Sequence, residues 1–161
     1  MKSIKELKET MPQIGKIEWI GLRPKRKADL IEVDEAVIST VDGLIGDHNK
    51  NPGGKRMVTL IQLEHIKMIA NVMNRKVSPL DLRRNIVVSG INLLALHDQE
   101  FRLGENIILK GTGYCVPCSR MEANLGPGGY NAMRGHGGIT ATVITEGILR
   151  KSDTVTLNLA C

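Results

Sequence analysis

The sequence predicts one mainly β domain with a few helices, folded into a closed or nearly closed barrel. Several short apolar runs have the two-residue alternation of strands, and only one long segment has the period of a helix. Ten of the 17 glycines fall between Gly104 and Gly147, where they mark sharp turns or a close backbone approach. Many short strands joined by glycine-rich turns are typical of a barrel.

The first half of the chain contains the one long helix that we predict. Residues 1–11 have helical spacing and form a short N-terminal extension that stops at a proline. Lys16–Leu22 and Ile31–Ile38 have strand-like spacing. The basic run between them, Arg23–Lys27, is typical of a solvated turn and less often of a ligand clamp. Leu60–Met73 places its apolar residues on one helical face and is the predicted long helix.

The second half alternates short strands with turns. Ser119–Leu125 is predicted to be helical. No internal repeat, low-complexity tract or linker interrupts the chain, so we expect a single domain over residues 1–161 with a core of about 19–155. The predicted strands of this half are Asn85–Ser89, Gln99–Leu103, Asn106–Lys110, Ile139–Thr145 and Thr154–Leu159.

The composition excludes several classes of protein. With 161 residues, 42% of them hydrophobic, the chain is long enough for a real core and too apolar for disorder. No apolar run approaches the ~18 residues of a membrane span, so we expect no membrane partner. Only four aromatic residues are present and no recognition motif accompanies the net charge of +5, so we expect no nucleic-acid partner. The basic balance favours a small anionic ligand.

The cysteine content predicts free thiols. Three cysteines, an odd number, and a charged N-terminus without the apolar core of a signal peptide argue against a secreted disulfide scaffold. We therefore expect a cytoplasmic protein. Cys161, the last residue, is expected to be an exposed thiol at the chain end.

The strongest local signal is the motif Cys115-Val-Pro-Cys118, which lies between a predicted strand and the helix Ser119–Leu125. If the helix begins near Cys118, its N-terminal amides and dipole favour thiolate over thiol, and Arg120 adds to the effect. A deprotonated thiol in a positive field serves as a nucleophile, a redox partner or a metal ligand.

Other interpretations of the two cysteines remain open. Structural zinc normally needs four ligands, no second such pair is present, and His48 or His136 would have to be recruited. A thioredoxin-like redox pair also joins a strand to a helix, but there the motif occurs early in a βαβ unit, whereas here 114 mostly β-patterned residues precede it. The third alternative is a pair of buried, inert cysteines.

Three further segments contain polar groups suited to anions. Arg83, Arg84 and Asn85 precede an apolar strand, and paired guanidinium groups offer the bidentate geometry that phosphates accept. Arg134 and His136 lie in the glycine-rich stretch 128–138, where backbone amides and side chains together could surround an oxyanion. Surface charge and a surface loop are the ordinary alternatives. In the third segment, Asp47-His48, two groups are too few for a metal site, and Asp47 is expected to cap a helix or strand.

Taken together and in this order, the segments resemble the MOSC domain, named for the C-terminal part of molybdenum-cofactor sulfurases. The resemblance spans roughly Trp19 to Val155. No single segment is specific for the family, but the ordered set is. The segments that carry it are Gly43–Asp47, Lys55–Leu60, Arg83–Gly90, Cys115–Arg120 and Gly138 with its following strand.

The resemblance implies a MOSC-type β-barrel-like fold and one functional cysteine, which falls on Cys118. In the family that thiol is thought to carry sulfur or to ligate molybdenum, while basic residues hold the phosphate of the molybdenum cofactor (molybdopterin). Cys115 has a counterpart in some members. The residues that the resemblance assigns to cofactor binding here are Arg83, Arg84, Asn85, Cys115, Arg120, Arg134, His136 and Gly138.

The chain resembles the small stand-alone bacterial members of the family, because it shows neither a pyridoxal-phosphate domain nor an additional N-terminal β domain. Some of these members are linked to defence against N-hydroxylated bases. The resemblance therefore implies an enzyme that transfers sulfur or reduces N-hydroxylated compounds. A donor protein would supply the sulfur or the electrons. The alternative is a non-catalytic carrier that binds the molybdenum cofactor and passes it on.

Overall fold

The computed structural model describes residues 1–159, so Cys161 lies outside the described residues. Within that range, no helix is long and apolar enough to cross a membrane. The described helices are α1 (Ile4–Lys8), α2 (Leu63–Met73), α3 (Pro79–Leu82), α4 (Ser119–Leu125) and α5 (Gly129–Met133), with a 3-10 turn at Leu93–Leu96. The described strands are β1 (Gly15–Leu22), β2 (Ile31–Val33), β3 (Glu35–Ser39), β4 (Gly43–Leu44), β5 (Val58–Gln62), β6 (Ile86–Ser89), β7 (Glu100–Leu103), β8 (Ile107–Tyr114), β9 (Ile139–Thr145), β10 (Gly147–Arg150) and β11 (Thr154–Leu157).

Seven strands close into a barrel, which confirms the predicted fold class. Around the barrel the order is β1, β11, β7, β8, β9, β5 and β6, and β6 pairs again with β1. β5 and β6 run parallel, and the other neighbours are antiparallel. β2 extends from β1, and a separate sheet has the order β10-β3-β4.

The barrel strands divide their apolar residues between two cores. On β5, Val58 and Leu60 belong to the larger core cluster and Ile61 to the smaller one. Because side chains alternate between the two faces of a strand, the larger cluster fills the barrel and the smaller lies outside it. Buried residues of α2, α3, α4 and α5 complete the outer cluster. These helices therefore cover the outside of the barrel, and the chain segments that join them to strands carry the site described below.

A bulge in β1 explains why two inward residues lie three positions apart. Ile17 and Ile20 both belong to the inner core, and Trp19 belongs to the outer one. The pairing of β1 with β6 shifts register between Ile17 and Trp19. The extra residue of the bulge shifts the alternation by one position, so the next inward residue after Ile17 is Ile20 and not Trp19.

The predicted strand Ile31–Ile38 is wrong in its extent. The structure divides it at Asp34 into β2, which pairs with β1, and β3, which belongs to the separate sheet. The chain leaves one sheet and enters another within a single residue. The apolar residues change there from odd positions, Ile31 and Val33, to even positions, Ala36 and Ile38, and this shift in the alternation was the signal for the break.

The predicted helix Leu60–Met73 begins later than expected. Leu60 pairs with Ile86 on one side and Ile139 on the other, so it lies inside β5, and α2 starts at Leu63. An apolar run this short fits a buried strand as well as the first turn of a helix. Pairing with two neighbouring strands decides between them. The predicted helix Ser119–Leu125 and strand Ile139–Thr145 are confirmed at both ends.

We expect Gly138→Ala to destabilise the fold severely. Gly138 has φ +88, and a Cβ there would overlap the carbonyl oxygen of Leu60. Gly128→Ala is the matched control, since its φ is +90 and no atom lies within 4 Å of its Cβ position. In urea unfolding, strain alone should cost the control about 1–2 kcal/mol, and Gly138→Ala should lose at least about 4 kcal/mol or not fold. Equal losses in the two variants would contradict close packing of Gly138 on β5.

Candidate functional site

Two adjoining cavities form a single basic cleft. Their volumes are about 280 Å³ and 290 Å³, and both are lined by Arg23, Arg56, Arg83 and Arg120. We call the two together the basic cleft. The first cavity is also lined by Arg26, Lys27, Asp47, His48, Asn49, Thr59 and Asn85, and the second by Arg84, Cys118, Ser119 and Met121.

Cys118 lies in the second cavity of the basic cleft. It is exposed, has an extended backbone (φ −131, ψ 176) and is the residue from which α4 starts. Buried Met121 and Leu125 anchor α4 in the outer core. The helix therefore fixes where the backbone of Cys118 lies, while its thiol stays accessible.

Six cationic side chains and only one carboxylate, that of Asp47, line the first cavity. Burial lowers the pKa of the Arg23 guanidinium, the nearby charge of Arg83 lowers it further, and Asp47 opposes the shift. Like charges gathered in a partly buried space repel one another and attract anions. The basic cleft is therefore electrostatically prepared for a negatively charged ligand.

Three nitrogens of the first cavity's side chains are buried without a hydrogen-bond partner among the described residues. They are Nε of Arg23, Nη2 of Arg83 and Nδ1 of His48. A buried donor without an acceptor costs about 1–3 kcal/mol. A phosphate or another oxyanion in the cleft supplies acceptors of the kind that guanidinium groups bind best. The donor set therefore fits an anionic group.

Asp47 and Asn85 hold the walls of the cleft together. The buried carboxylate of Asp47 accepts the backbone N–H of Arg23 at 2.7 Å, that of Asn49 at 3.2 Å and Nδ2 of Asn85 at 3.4 Å. Asn85 Oδ1 in turn accepts the hydroxyl of Thr59 at 3.0 Å. Asp47 thus caps the chain where β1 ends, and Asn85 connects this turn to β5.

The guanidinium of Arg84 lies beneath the loop that carries Cys118. Its exposed fraction is 4%, and its Nε, Nη1 and Nη2 donate to the carbonyls of Gly137 at 2.8 Å, Leu82 at 2.9 Å and Cys115 at 3.3 Å. Burial lowers the pKa of Arg84. Arg84 also lines the second cavity beside Cys118. The geometry gives it a positioning role, and direct contact with a cofactor stays a prediction.

Cys115 and Gly138 lie behind the cleft. Cys115 is 2% exposed, and its N–H donates to the carbonyl of Gly138 at 2.8 Å. Neither residue lines the basic cleft. The two cysteines of the motif thus differ, since Cys115 is buried and Cys118 is open to a ligand.

The sequence pattern predicts Arg134 and His136 in the site, but the structure does not place them in the basic cleft. Arg134 is exposed, and neither residue lines the two cavities. His136 packs edge-on against His65 of α2, with ring centroids 5.0 Å apart and an interplanar angle of 77°. The structure therefore brings together Cys118, Arg83, Arg84, Asn85 and Arg120, and it leaves the 134–136 pair outside this group.

Arg23 and Arg56 belong to the site but were not among the predicted site residues. The run Arg23–Lys27 was interpreted as a solvated turn, but Arg23 is partly buried and, with Arg26 and Lys27, lines the cleft. The signal that could have found it is its position directly after a buried strand. Among residues 1–159, no three His, Cys, Asp or Glu side chains lie together in a way suited to holding a metal ion, so the four ligands of structural zinc have no counterpart there.

The histidine pair makes stability depend on pH. Burial, with the charge of His136, lowers the pKa of His65 below its ordinary value of 6.5. The contribution of neutral His65 to stability is therefore present above about pH 6.5 and is lost as the pH falls. We expect the free energy of unfolding to fall less steeply from about pH 7 to about pH 5 in His65→Gln than in the parent protein, measured in urea. Equal slopes would contradict the lowered pKa.

Comparison with known proteins identifies the fold and the family. The structure is similar to the YuaD protein from Bacillus subtilis, with a TM-score of 0.79, 17% identity, and 92% of this chain and 97% of that chain covered. YiiM from Escherichia coli (TM-score 0.69, 20% identity, 91% and 71% covered) and YiiM from Geobacillus stearothermophilus (0.73, 16%, 90% and 75%) are also similar. At these identities the likeness is one of fold.

The sequence itself matches a known family. No curated protein matches the chain at a significant level. The family model of the MOSC domain matches residues 46–156, a range that contains Arg83, Arg84, Asn85 and Cys118. The chain therefore belongs to the MOSC domain family, which is associated with molybdenum-cofactor-related proteins.

Proposed function

We propose that this protein is a molybdenum-cofactor-related thiol enzyme in which Cys118 is the reacting group. The observation that carries the proposal is the position of an exposed cysteine in a cleft with seven cationic side chains. An accessible thiol and an anion site in one cleft can hold an anionic ligand next to a nucleophile or soft metal ligand.

The residues of the cleft suit the molybdenum cofactor. Arg23 and Arg83, whose buried nitrogens lack partners among the described residues, would hold its phosphate, and Arg56 and Arg120 line the path to Cys118. Cys118 would ligate molybdenum or carry sulfur for it. When bound, the cofactor would supply two-electron oxidation and reduction.

The chain's own residues would bind and orient the reactants. Arg84 holds the backbone of the Cys115–Cys118 loop through the carbonyl of Cys115, and Asp47 holds the backbone of Arg23. In sulfur transfer, the Cys118 thiolate attacks the outer sulfur of a donor persulfide, a new S–S bond forms, and the donor leaves as a thiol. In reduction of an N-hydroxylated compound, a donor protein supplies two electrons, two protons are taken up, and the hydroxyl leaves as water.

The proposed partners and compartment follow from the same residues. The ligand is a small anion or anionic cofactor, because the cleft is rich in guanidinium groups and holds one carboxylate. Cys115 and Cys118 are both free thiols, which suits the reducing cytoplasm. A sulfur or electron donor protein completes the reaction.

We expect Cys118→Ser to remove the bound sulfur or molybdenum without loss of stability, because the side chain is exposed. The measurement is elemental analysis for molybdenum and mass spectrometry of residue 118 for persulfide, on protein made with ample molybdate. Cys115→Ser, which leaves the thiol of Cys118 in place, is the matched control. Neither molybdenum nor persulfide in the parent protein, or equal amounts in Cys118→Ser, would contradict the proposal. Bound pterin without turnover would identify a carrier instead.

We expect Arg83→Ala to weaken anion binding at least tenfold, because it removes a buried donor from the cleft. The probe is molybdate, titrated by calorimetry at low and high salt. Arg150→Ala, which removes an equal charge from a residue of β10 outside the cleft, is the matched control and should bind as the parent does. Equal weakening by both variants would show that net charge alone holds the anion.

A further inference from the structure

A second pocket, separate from the basic cleft, lies on the other part of the cysteine loop. It has a volume of about 270 Å³. Its lining includes Cys115, Val116 and Pro117, whereas Cys118 lines the basic cleft. We call it the apolar pocket, and its remaining lining residues are Leu94, Tyr114, Gly135, Gly137 and Gly138.

Tyr114 forms an aromatic wall of the apolar pocket. Its ring stacks on the imidazole of His97, with centroids 4.7 Å apart and an interplanar angle of 18°. Nδ1 of His97 lies 3.0 Å from the carboxylate of Asp98, which orients the imidazole. Tyr114 is otherwise exposed and lines the pocket, whereas His97 does not. The wall is thus held in place without a ligand.

Glycine backbone forms another wall. Side chains at Gly137 and Gly138 would overlap the carbonyl oxygens of Cys115 and Leu60, so these two peptides are held close to their neighbours. No atom lies within 4 Å of the Cβ position of Gly135. The Cβ directions of Gly137 and Gly138 therefore point into the protein, and the three glycines line the pocket with backbone alone.

The charge and size of the apolar pocket restrict its ligand. None of the described lining residues is charged, whereas five cationic side chains line the cavity of the basic cleft that contains Cys118. An anion is therefore drawn to the cleft, and an uncharged group suits the pocket. Pockets for drug-sized ligands run from about 300 Å³ upward, so this one has room for one or two rings.

The mouth of the pocket has a further property of ligand sites. Tyr114 and Val116 are 58% and 72% exposed, although both are apolar or aromatic. They extend the apolar lining to the surface, where a ligand would remove them from water. Burial of such apolar area stabilises a complex.

We propose that the apolar pocket binds an uncharged, planar aromatic ring, stacked on Tyr114. Offset stacking on the Tyr114 ring stabilises the complex beyond burial alone, and a saturated ring of the same size gains no such stacking. The inference does not rest on the chemistry of Cys118. A bound ring would nevertheless contact the loop that carries this thiol, because residues 115–117 line the pocket.

The test uses benzamide as the planar probe and cyclohexanecarboxamide as the saturated probe of matched polarity. Both are titrated into the ¹⁵N-labelled full chain, and amide shifts in the NMR spectrum report the site and the affinity. We expect benzamide to shift the amides of Tyr114, Cys115 and Val116 and those of residues 135–138, and to bind at least fivefold more tightly than the saturated probe.

Variants connect the binding to the aromatic wall. Tyr114→Ala should weaken benzamide at least tenfold, and Tyr130→Ala should leave it unchanged, because the exposed ring of Tyr130 does not line the pocket. Should Tyr114→Ala not fold, Val116→Lys places a charge at the mouth and should weaken binding likewise. Absence of shifts, shifts confined to other residues, equal affinity of the two probes, or full binding by the folded Tyr114 or Val116 variant would each overturn the proposal.

Discussion

The buried guanidinium of Arg84 is the interaction on which the arrangement around Cys118 depends. Its three donors reach the end of α3, the cysteine loop and the glycine-rich segment before β9. These segments are far apart in sequence and have no secondary structure in common. A planar group with donors in several directions can join three backbone acceptors at once, which a lysine with one ammonium cannot do in the same geometry. The basic cleft and the apolar pocket therefore share a single anchor.

The cleft concentrates like charges that a folded protein would otherwise separate. Arg23, Arg83 and Arg120 contribute to this repulsion, and the lowered pKa of Arg23 is one sign of it. The single buried carboxylate, Asp47, is already committed to backbone and amide donors of the walls. The carboxylate of Asp47 thus keeps the cleft in shape, and the guanidinium groups stay available for a ligand. Such preorganised positive groups favour anions without rearrangement.

How well a feature could be predicted from the sequence depends on whether short-range or long-range interactions decide it. Ser119–Leu125 was predicted at both ends because its periodicity lies within the segment and the cysteine motif directly precedes it. The start of α2 at Leu63 was missed because long-range strand pairing of β5 decides it. The break at Asp34 was missed although the alternation of apolar residues shifts there by one position. Cys118, Arg83 and Arg120 could be selected from local motifs. Arg23 and Arg56 were not selected, since only the barrel brings the end of β1 and the start of β5 to the same cleft.

The closure of the barrel has a consequence for folding of the chain during its synthesis on the ribosome. β1 lies between β6 and β11, so Gly15 near the start of the chain pairs with Val155 near its end. Contacts of such separation raise the contact order and slow folding. Until β11 has left the exit tunnel, β1 and β7 each lack a neighbour, and their unpaired edges can associate with other chains. The barrel therefore cannot close before β11 has left the ribosome, and these two edges stay open until then.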